Sequence, residues 1–439
     1  MMSMLPSQSR LRNSFWRQCR PAAATILLAL MAALTASTAA AQMLVSNPTA
    51  ARLGLKRSWF AQIRVDPSQH KVVHWLLDHG QIYALTSAGA VQALDAETGA
   101  TLWITELGVG HAPAAGIAVN SRHIALLGAA RLYLMDRLDG HHLWSRSIGG
   151  AASAAPALSE KYAYVTLLSG RVEGYELDDP SAYVWQYQSA GRTFESATTT
   201  GRVVSWPSDS GKLYVGEAEA PQVLFRVETN DEIVAAPAEL APYLYVGSLD
   251  GYLYCYHELT GAEQWRYATG FAITSQPAIV GDKAFVASEG PSLHAVDALT
   301  GRPLWVVDGA AQFAALGAQH TYGTDRYGTL VTIDNESGNI AGRLATSIGN
   351  SAIVNDKSDR IYLVNDRGLV QCLHELGAEQ PTWHREQAQA EAAEAVADGA
   401  ATEEAVADEP PAEQPEDSPF APAPVEDTDV DEDDNPFQF

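Results

Sequence analysis

The acids, histidines and cysteines set the limits on what chemistry this chain can perform. Asp325, Asp334 and Asp366 carry the group a general base needs, but each stands in a turn-rich segment, where aspartate is favoured for bonding its own backbone. His70 and His74 would share one face of a strand at a separation of about 13 Å, too far to hold one metal. His141 and His142 are adjacent and point to opposite faces of an extended chain. The acidic run DTDVDEDD (427 to 434) is spaced like a calcium loop but lacks the central glycine and the distal glutamate, which leaves weak counter-ion binding. Cys255 and Cys372 form an even pair that an oxidising compartment could join. There is no Ser-His-Asp order, phosphate loop or Cys-x-x-Cys. From these residues we read no catalytic group, no cofactor ligand and no metal site.

The elements that would position such residues repeat. VQALDAETGATLW (91 to 103) has counterparts in LYLMDRLDGHHLW (132 to 144), VEGYELDDPSAYVW (172 to 185), LYVGEAEAPQVLF (213 to 225), LYCYHELTGAEQW (253 to 265) and LHAVDALTGRPLW (293 to 305). Two weaker copies follow, LVTIDNESGNIAG (330 to 342) and VQCLHELGAEQPTW (370 to 383). A repeat of about 40 residues made of short strands predicts a β-propeller, because one small sheet cannot bury its two faces without a neighbour. The expected fold is all-β, an eight-bladed propeller of four-stranded antiparallel blades over residues 52 to 385. Seven blades, with the eighth copy peripheral, is the alternative.

Each repeat supplies the parts of a blade. HAPAAGIAV (111 to 119), AAPALSEKYAYVT (154 to 166), AAPAELAPYLYVG (235 to 247) and SQPAIVGDKAFVA (275 to 287) place a proline at the head of a strand, which suits an innermost edge that needs no ladder donor. The turn glycines Gly99, Gly140, Gly261, Gly301 and Gly338 supply the positive φ of a tight hairpin. Four residues later, Trp103, Trp144, Trp185, Phe225, Trp265 and Trp305 fall on the outermost strand. A ring of aromatics can serve as a sugar or base platform; aromatics placed identically in successive blades read instead as inter-blade docking residues.

The last two copies lack that aromatic in register: Gly342 and Pro381 occupy its position. RLGLKRSWFAQI (52 to 63) carries Trp59 in a strand-like run with no hairpin before it, so we expect this N-terminal strand to complete the last blade beside LVQCLHE (369 to 375). Such closure removes exposed sheet edges. Cys255 and Cys372 occupy the same strand position in the fifth and eighth copies, three blades apart. A disulfide needs Cα atoms within roughly 7 Å, so both are expected to be free and buried.

The two ends are different material. Residues 1 to 41 carry Arg10, Arg12, Arg17 and Arg20, an apolar stretch from Ala22 to Leu34 and Ala39-Ala40-Ala41, which reads as a cleaved signal peptide; an uncleaved anchor is the rival. Cys19 precedes the apolar stretch, so no lipid-bearing cysteine is read. Residues 42 to 51 read as a linker. Residues 386 to 439 hold 18 acidic residues and no Lys or Arg, and read as a disordered acidic tail. Removing both ends from the total of -25 leaves 24 basic against 35 acidic residues, a balance of -11 that argues against a nucleic-acid footprint. Phe420, Phe437 and Phe439 are apolar points in the tail, candidates for capture as a short linear ligand.

The segments DAETGATLW (95 to 103), DALTGRPLW (297 to 305) and HELTGAEQW (257 to 265) resemble the repeat of pyrroloquinoline-quinone-type propellers, Ala-x-Asp-x-x-Thr-Gly-x-x-x-Trp, over residues 52 to 385. In size, repeat number and export segment the chain looks most like the BamB-type propellers of the outer-membrane β-barrel assembly machinery. That resemblance implies a non-enzymatic, exported, monomeric scaffold that binds cell-envelope proteins through propeller-face loops or the tail, without stable membrane insertion. The missing lipid-anchor cysteine departs from that family. Quinoprotein dehydrogenases share the repeat, but they use an acidic base, an ion and often adjacent cysteines in a pocket built by long insertions. This chain has no adjacent cysteines and near-minimal repeats. A quinone-dependent dehydrogenase and a ligand-sensing or carbohydrate-binding propeller are the alternative functions.

Overall fold

The computed structural model describes residues 44–107, 114–128, 130–346 and 350–384. The export segment, the tail with Phe420, Phe437 and Phe439, and Pro113 lie outside the described residues. Eight four-stranded antiparallel sheets form the blades, with strands a to d running from the channel outward. Blade 1 is built from Val72–Asp78, Gln81–Thr86, Ala90–Asp95 and Thr101–Glu106. Blades 2 to 7 begin at Ala114, Ala157, Thr198, Ala238, Ala278 and Gln312 and end at Ser147, Gln188, Glu228, Ala268, Asp308 and Leu344. Pro156, Pro237 and Pro277 stand immediately before the a strands of blades 3, 5 and 6, where no ladder donor is required.

Blade 8 closes the ring. Its strands are Asn350–Ala352, Ile361–Asn365, Leu369–Glu375 and, outermost, Leu55–Gln62. Leu55 lies opposite Glu375 and Trp59 opposite Cys372, so the first strand of the folded chain pairs with its last. The ring therefore has eight blades. Residues before this strand are packed as well: a helical turn, Asn47–Ala51, is capped by Ser46, and Val45 and Ala50 are buried.

The core is divided among the seams between neighbouring blades rather than gathered in one centre. Strands b and c are buried on both faces, as in Tyr252–His257 and Gln81–Thr86. One cluster joins Tyr362, Val370 and Cys372 of blade 8 to Ile82, Ala84 and Leu94 of blade 1. Cys255 and Cys372 are free and buried. Burial pushes each thiol up to about 12, which keeps it protonated.

Candidate protein-interaction surface

The predicted docking aromatics all stand on d strands. Five of them make the same bond to the next blade. The indole N–H groups of Trp59, Trp103, Trp144, Trp265 and Trp305 donate to the carbonyls of Ala96, Arg137, Leu177, Ala298 and Asn335 at 2.9–3.1 Å. Each acceptor follows the acid that opens the neighbouring c–d turn. Trp185 joins a cluster with Tyr187, Trp206 and Tyr214, and Phe225 has no donor to offer.

Two features of this docking were not read from the sequence. In seven blades the register shifts one residue before the aromatic position, at Ser58, Leu102, Leu143, Leu224, Gln264, Leu304 and Ala341. A bulge bends the strand and re-aims the side chain that follows it, here toward the neighbouring blade. The turn glycines also do more than supply φ values of 69–72°. A Cβ on Gly99, Gly140, Gly301 or Gly338 would come within 2.4–2.6 Å of Trp59, Trp103, Trp265 or Trp305, and one on Gly261 within 2.7 Å of Phe225. Glycine is the only residue that lets the ring lie flat on the turn. At Gly342, where no aromatic stands, Leu53 from the N-terminal segment occupies the space, with its Cδ2 2.3 Å from where a Cβ would be.

Two of the acids considered for catalysis bond their own turns. Asp334 Oδ1 accepts from the Ser337 amide and hydroxyl at 2.8 and 2.7 Å, which holds its carboxyl below the usual range. Asp325 accepts the amides of Tyr327 and Thr329, and Asp366 is exposed in a turn. His70 approaches Ser87, while His74 faces the channel, where burial lowers its pKa. His141 ends the c–d turn of blade 2 and His142 begins its d strand. Among the described residues no three metal-binding side chains converge.

The channel is a cavity of about 560 Å³ lined by the a strands, with His74, Asp78, Thr198, Glu239, Gln276 and Lys357 among its polar groups. The two ends of the channel differ. The closed face carries the a–b and c–d turns and both described chain ends. The open face carries the b–c turns and the crossovers from one blade to the next. Phe194 and Phe271 stand on open-face crossovers, Leu168 and Tyr327 on open-face turns, and all four are exposed. Phe271 is nevertheless held in place: a Cβ on Gly290 would lie 2.3 Å from its ring, and Thr269 Oγ1 donates to its carbonyl at 2.7 Å. The Arg192 guanidinium lies 5.2 Å from the Phe194 ring centre and pairs with Asp209 at 3.2 Å. Asp231, Glu232, Asp250 and Glu289 stand on the turns and crossovers of the same face in blades 4 to 6. The sequence could not select this face, because no repeat position marks a crossover aromatic.

Comparison with known proteins agrees with the geometry. BamB of Burkholderia pseudomallei (strain K96243), an outer membrane protein assembly factor, is 22% identical over 245 residues, 51% of this chain and 62% of that protein. BamB of Shewanella oneidensis is 24% identical over 328 residues, 66% of this chain and 81% of the relative. The chain thus spans 62% of the length of the Burkholderia protein. The crystal structure of BamB from Moraxella catarrhalis superposes with a TM-score of 0.60 at 16% identity, covering 73% of this chain and 99% of that one. The computationally designed Ika8 protein superposes at 0.58 and 13% identity, covering 71% and 98%. At such identities the two structures speak for the fold alone. The family model described as outer membrane protein assembly factor BamB matches residues 87–230 and 222–399, well over half of the chain, and the protein belongs to that family of PQQ-type propellers.

Proposed function

We propose that this protein is a non-enzymatic scaffold of the cell envelope that binds partner proteins on its open face in support of outer-membrane protein assembly. Family membership supports the setting. The observation that carries the reading is the pair of open-face aromatics, Phe194 and Phe271, exposed yet fixed in place by their neighbours. Rigid exposed aromatics serve as interface anchors, because little side-chain entropy is lost when a partner covers them. The carboxylates Asp231, Glu232, Asp250 and Glu289 on the same face favour a partner segment with basic residues.

The test is a chromosomal replacement with Phe194→Asp and Phe271→Asp, alone and together. The double variant should remain folded, lower the amount of outer-membrane β-barrel proteins to that of a deletion strain, and lose capture of the assembly machinery. Normal β-barrel levels in the deletion strain would remove the assembly role. Normal capture by the double variant would move the binding surface elsewhere. Saturable quinone binding in a calorimetric titration with calcium would favour the dehydrogenase reading instead.

A further inference from the structure

Past strand c of blade 8 the chain turns back onto the ring. The Leu376 amide donates to Gly54 O at 2.7 Å, and Gly377 turns the backbone at φ 95°. Residues 378–384 then lie along the a–b connection of blade 8, residues 353–360. That connection has eight residues where the other blades use two or three.

The connection is built as a receptor. Asn355 is fully buried; its Nδ2 donates to Ser358 Oγ and Arg360 O, and its Oδ1 accepts the amides of Lys357 and Ser358. None of these four bonds involves the returning segment. The Arg360 guanidinium is 2% exposed, pairs with Asp359 at 3.2 Å and with Glu97 of blade 1 at 3.3 Å, and donates to the carbonyls of Ala378 and Glu379 at 2.9 and 3.0 Å. Asp359 Oδ1 accepts the Thr382 amide, and the Asp359 amide donates to Thr382 O, both at 3.2 Å. The His384 amide reaches Lys357 O at 3.0 Å, and Ser358 bridges Trp383 as an antiparallel pair. His384 then borders a small cavity with Glu239, Ile279, Asp356 and Lys357, four residues that also line the channel.

We propose that the a–b connection of blade 8 is a groove for an extended peptide, filled in cis by residues 378–384, and that this occupant gates the closed-face end of the channel. The proposal is independent of the open-face reading. Recognition is mostly through the backbone: two consecutive carbonyls on one guanidinium, then an amide and a carbonyl on Asp359, followed by a strand bridge. Backbone recognition of this kind is strand addition, and it admits any extended segment with the right spacing.

The test uses a chain ending at Glu375 and a fluorescent peptide, AEQPTWHREQ (378 to 387). The truncated protein should bind the peptide saturably and at least ten-fold more tightly than the full chain does. A folded truncated protein that binds no better than the full chain would overturn the proposal. Should truncation prevent folding, the full chain with Thr382→Pro and Trp383→Ala takes its place. The proline removes the amide that Asp359 accepts. In that variant hydrogen exchange over 357–360 should be at least ten-fold faster, and a cysteine placed at Ile279 should react faster with a thiol reagent. Unchanged exchange and reactivity would equally defeat the proposal.

Discussion

The seam between blades 6 and 7 and the seam between blades 3 and 4 do the same job with different parts. At the first, Trp305 follows a bulge, lies on Gly338 and donates to Asn335 O at 3.1 Å. At the second, Trp185 begins its strand in regular register and makes no indole hydrogen bond among the described residues, and the c–d turn of the next blade, EAEAPQ (217 to 222), has no glycine. Blades 3 and 4 are joined instead by the rings of Trp185 and Tyr187 edge-on to Trp206, by Tyr187 tilted against Tyr214, with centroids 5.6–6.3 Å apart, and by Tyr164, whose hydroxyl donates to Ala218 O at 2.7 Å. The carbonyl that an indole satisfies elsewhere is thus reached by a tyrosine from strand b. Further in, Phe285 of blade 6 stacks on Phe313 of blade 7, but the outer contact of that seam rests on one indole, whereas between blades 3 and 4 it is spread over several rings.

That contrast predicts unequal losses on truncation. Trp305→Ala should cost about 3–5 kcal/mol, since the ring is nearly fully buried and its removal also orphans a carbonyl. Trp185→Ala should cost about 1–3 kcal/mol, because the residue is half-buried and its neighbours can close over the gap. Equilibrium denaturation of the two variants measures both, and equal losses would break the distinction.

A smaller effect sharpens the same point. Gly338→Ala puts a Cβ 2.4 Å from Trp305 and forces an L side chain to φ 69°. We expect about 2–4 kcal/mol of destabilisation, of which about 1–2 kcal/mol is backbone strain. The nearest atom is the Trp305 Cβ, which alanine would keep, so in a Trp305→Gly background only the strain should remain, and a double-mutant cycle should show a coupling of at least about 1 kcal/mol. Additive losses would mean that the glycine and the indole do not act as a unit.

The parts of the fold that repeat were legible in the sequence, and the parts that occur once were not. A 40-residue period, turn glycines and an aromatic four residues on specify blades because every copy states the same local geometry. The pairing of 55–62 with 369–375 followed from a missing hairpin and an orphan tryptophan. The bulges left no trace, since a one-residue shift in pairing has no residue type of its own. Leu53 filling the space at Gly342, and Arg360 reaching Glu97 and Glu379, join positions that no period relates. Trp383, two residues past the Pro381 that holds the aromatic position of the last copy, belongs to the returning segment rather than to a d strand. The open-face aromatics were hidden for a related reason: crossover residues vary from blade to blade, and a single sequence offers no contrast by which to choose among them.

The smallest effect concerns the blade 5 to 6 seam, where the polar core contains His294. Its Nδ1 lies 3.0 Å from Tyr267 Oη and its Nε2 2.9 Å from Ser292 Oγ, and burial lowers its pKa below the ordinary value. The unfolded chain therefore binds a proton at higher pH than the folded one does. Above about pH 6.5 both states are neutral at this residue and it has no effect on the balance. As pH falls from there toward the folded-state pKa, the unfolded chain gains the proton first and stability declines, by at most about 1.4 kcal/mol per pH unit for one histidine. His294→Gln keeps a donor and an acceptor but cannot titrate. Denaturation midpoints measured from pH 7.5 to 5.5 should fall less steeply for this variant than for the parent. The sequence of blades 3 and 4, residues 157 to 228, contains no histidine, so the Trp185→Ala variant should keep the parent's slope. Parallel profiles for the parent and His294→Gln would place the acid sensitivity at the other histidines whose pKa burial lowers, His74, His123 and His384.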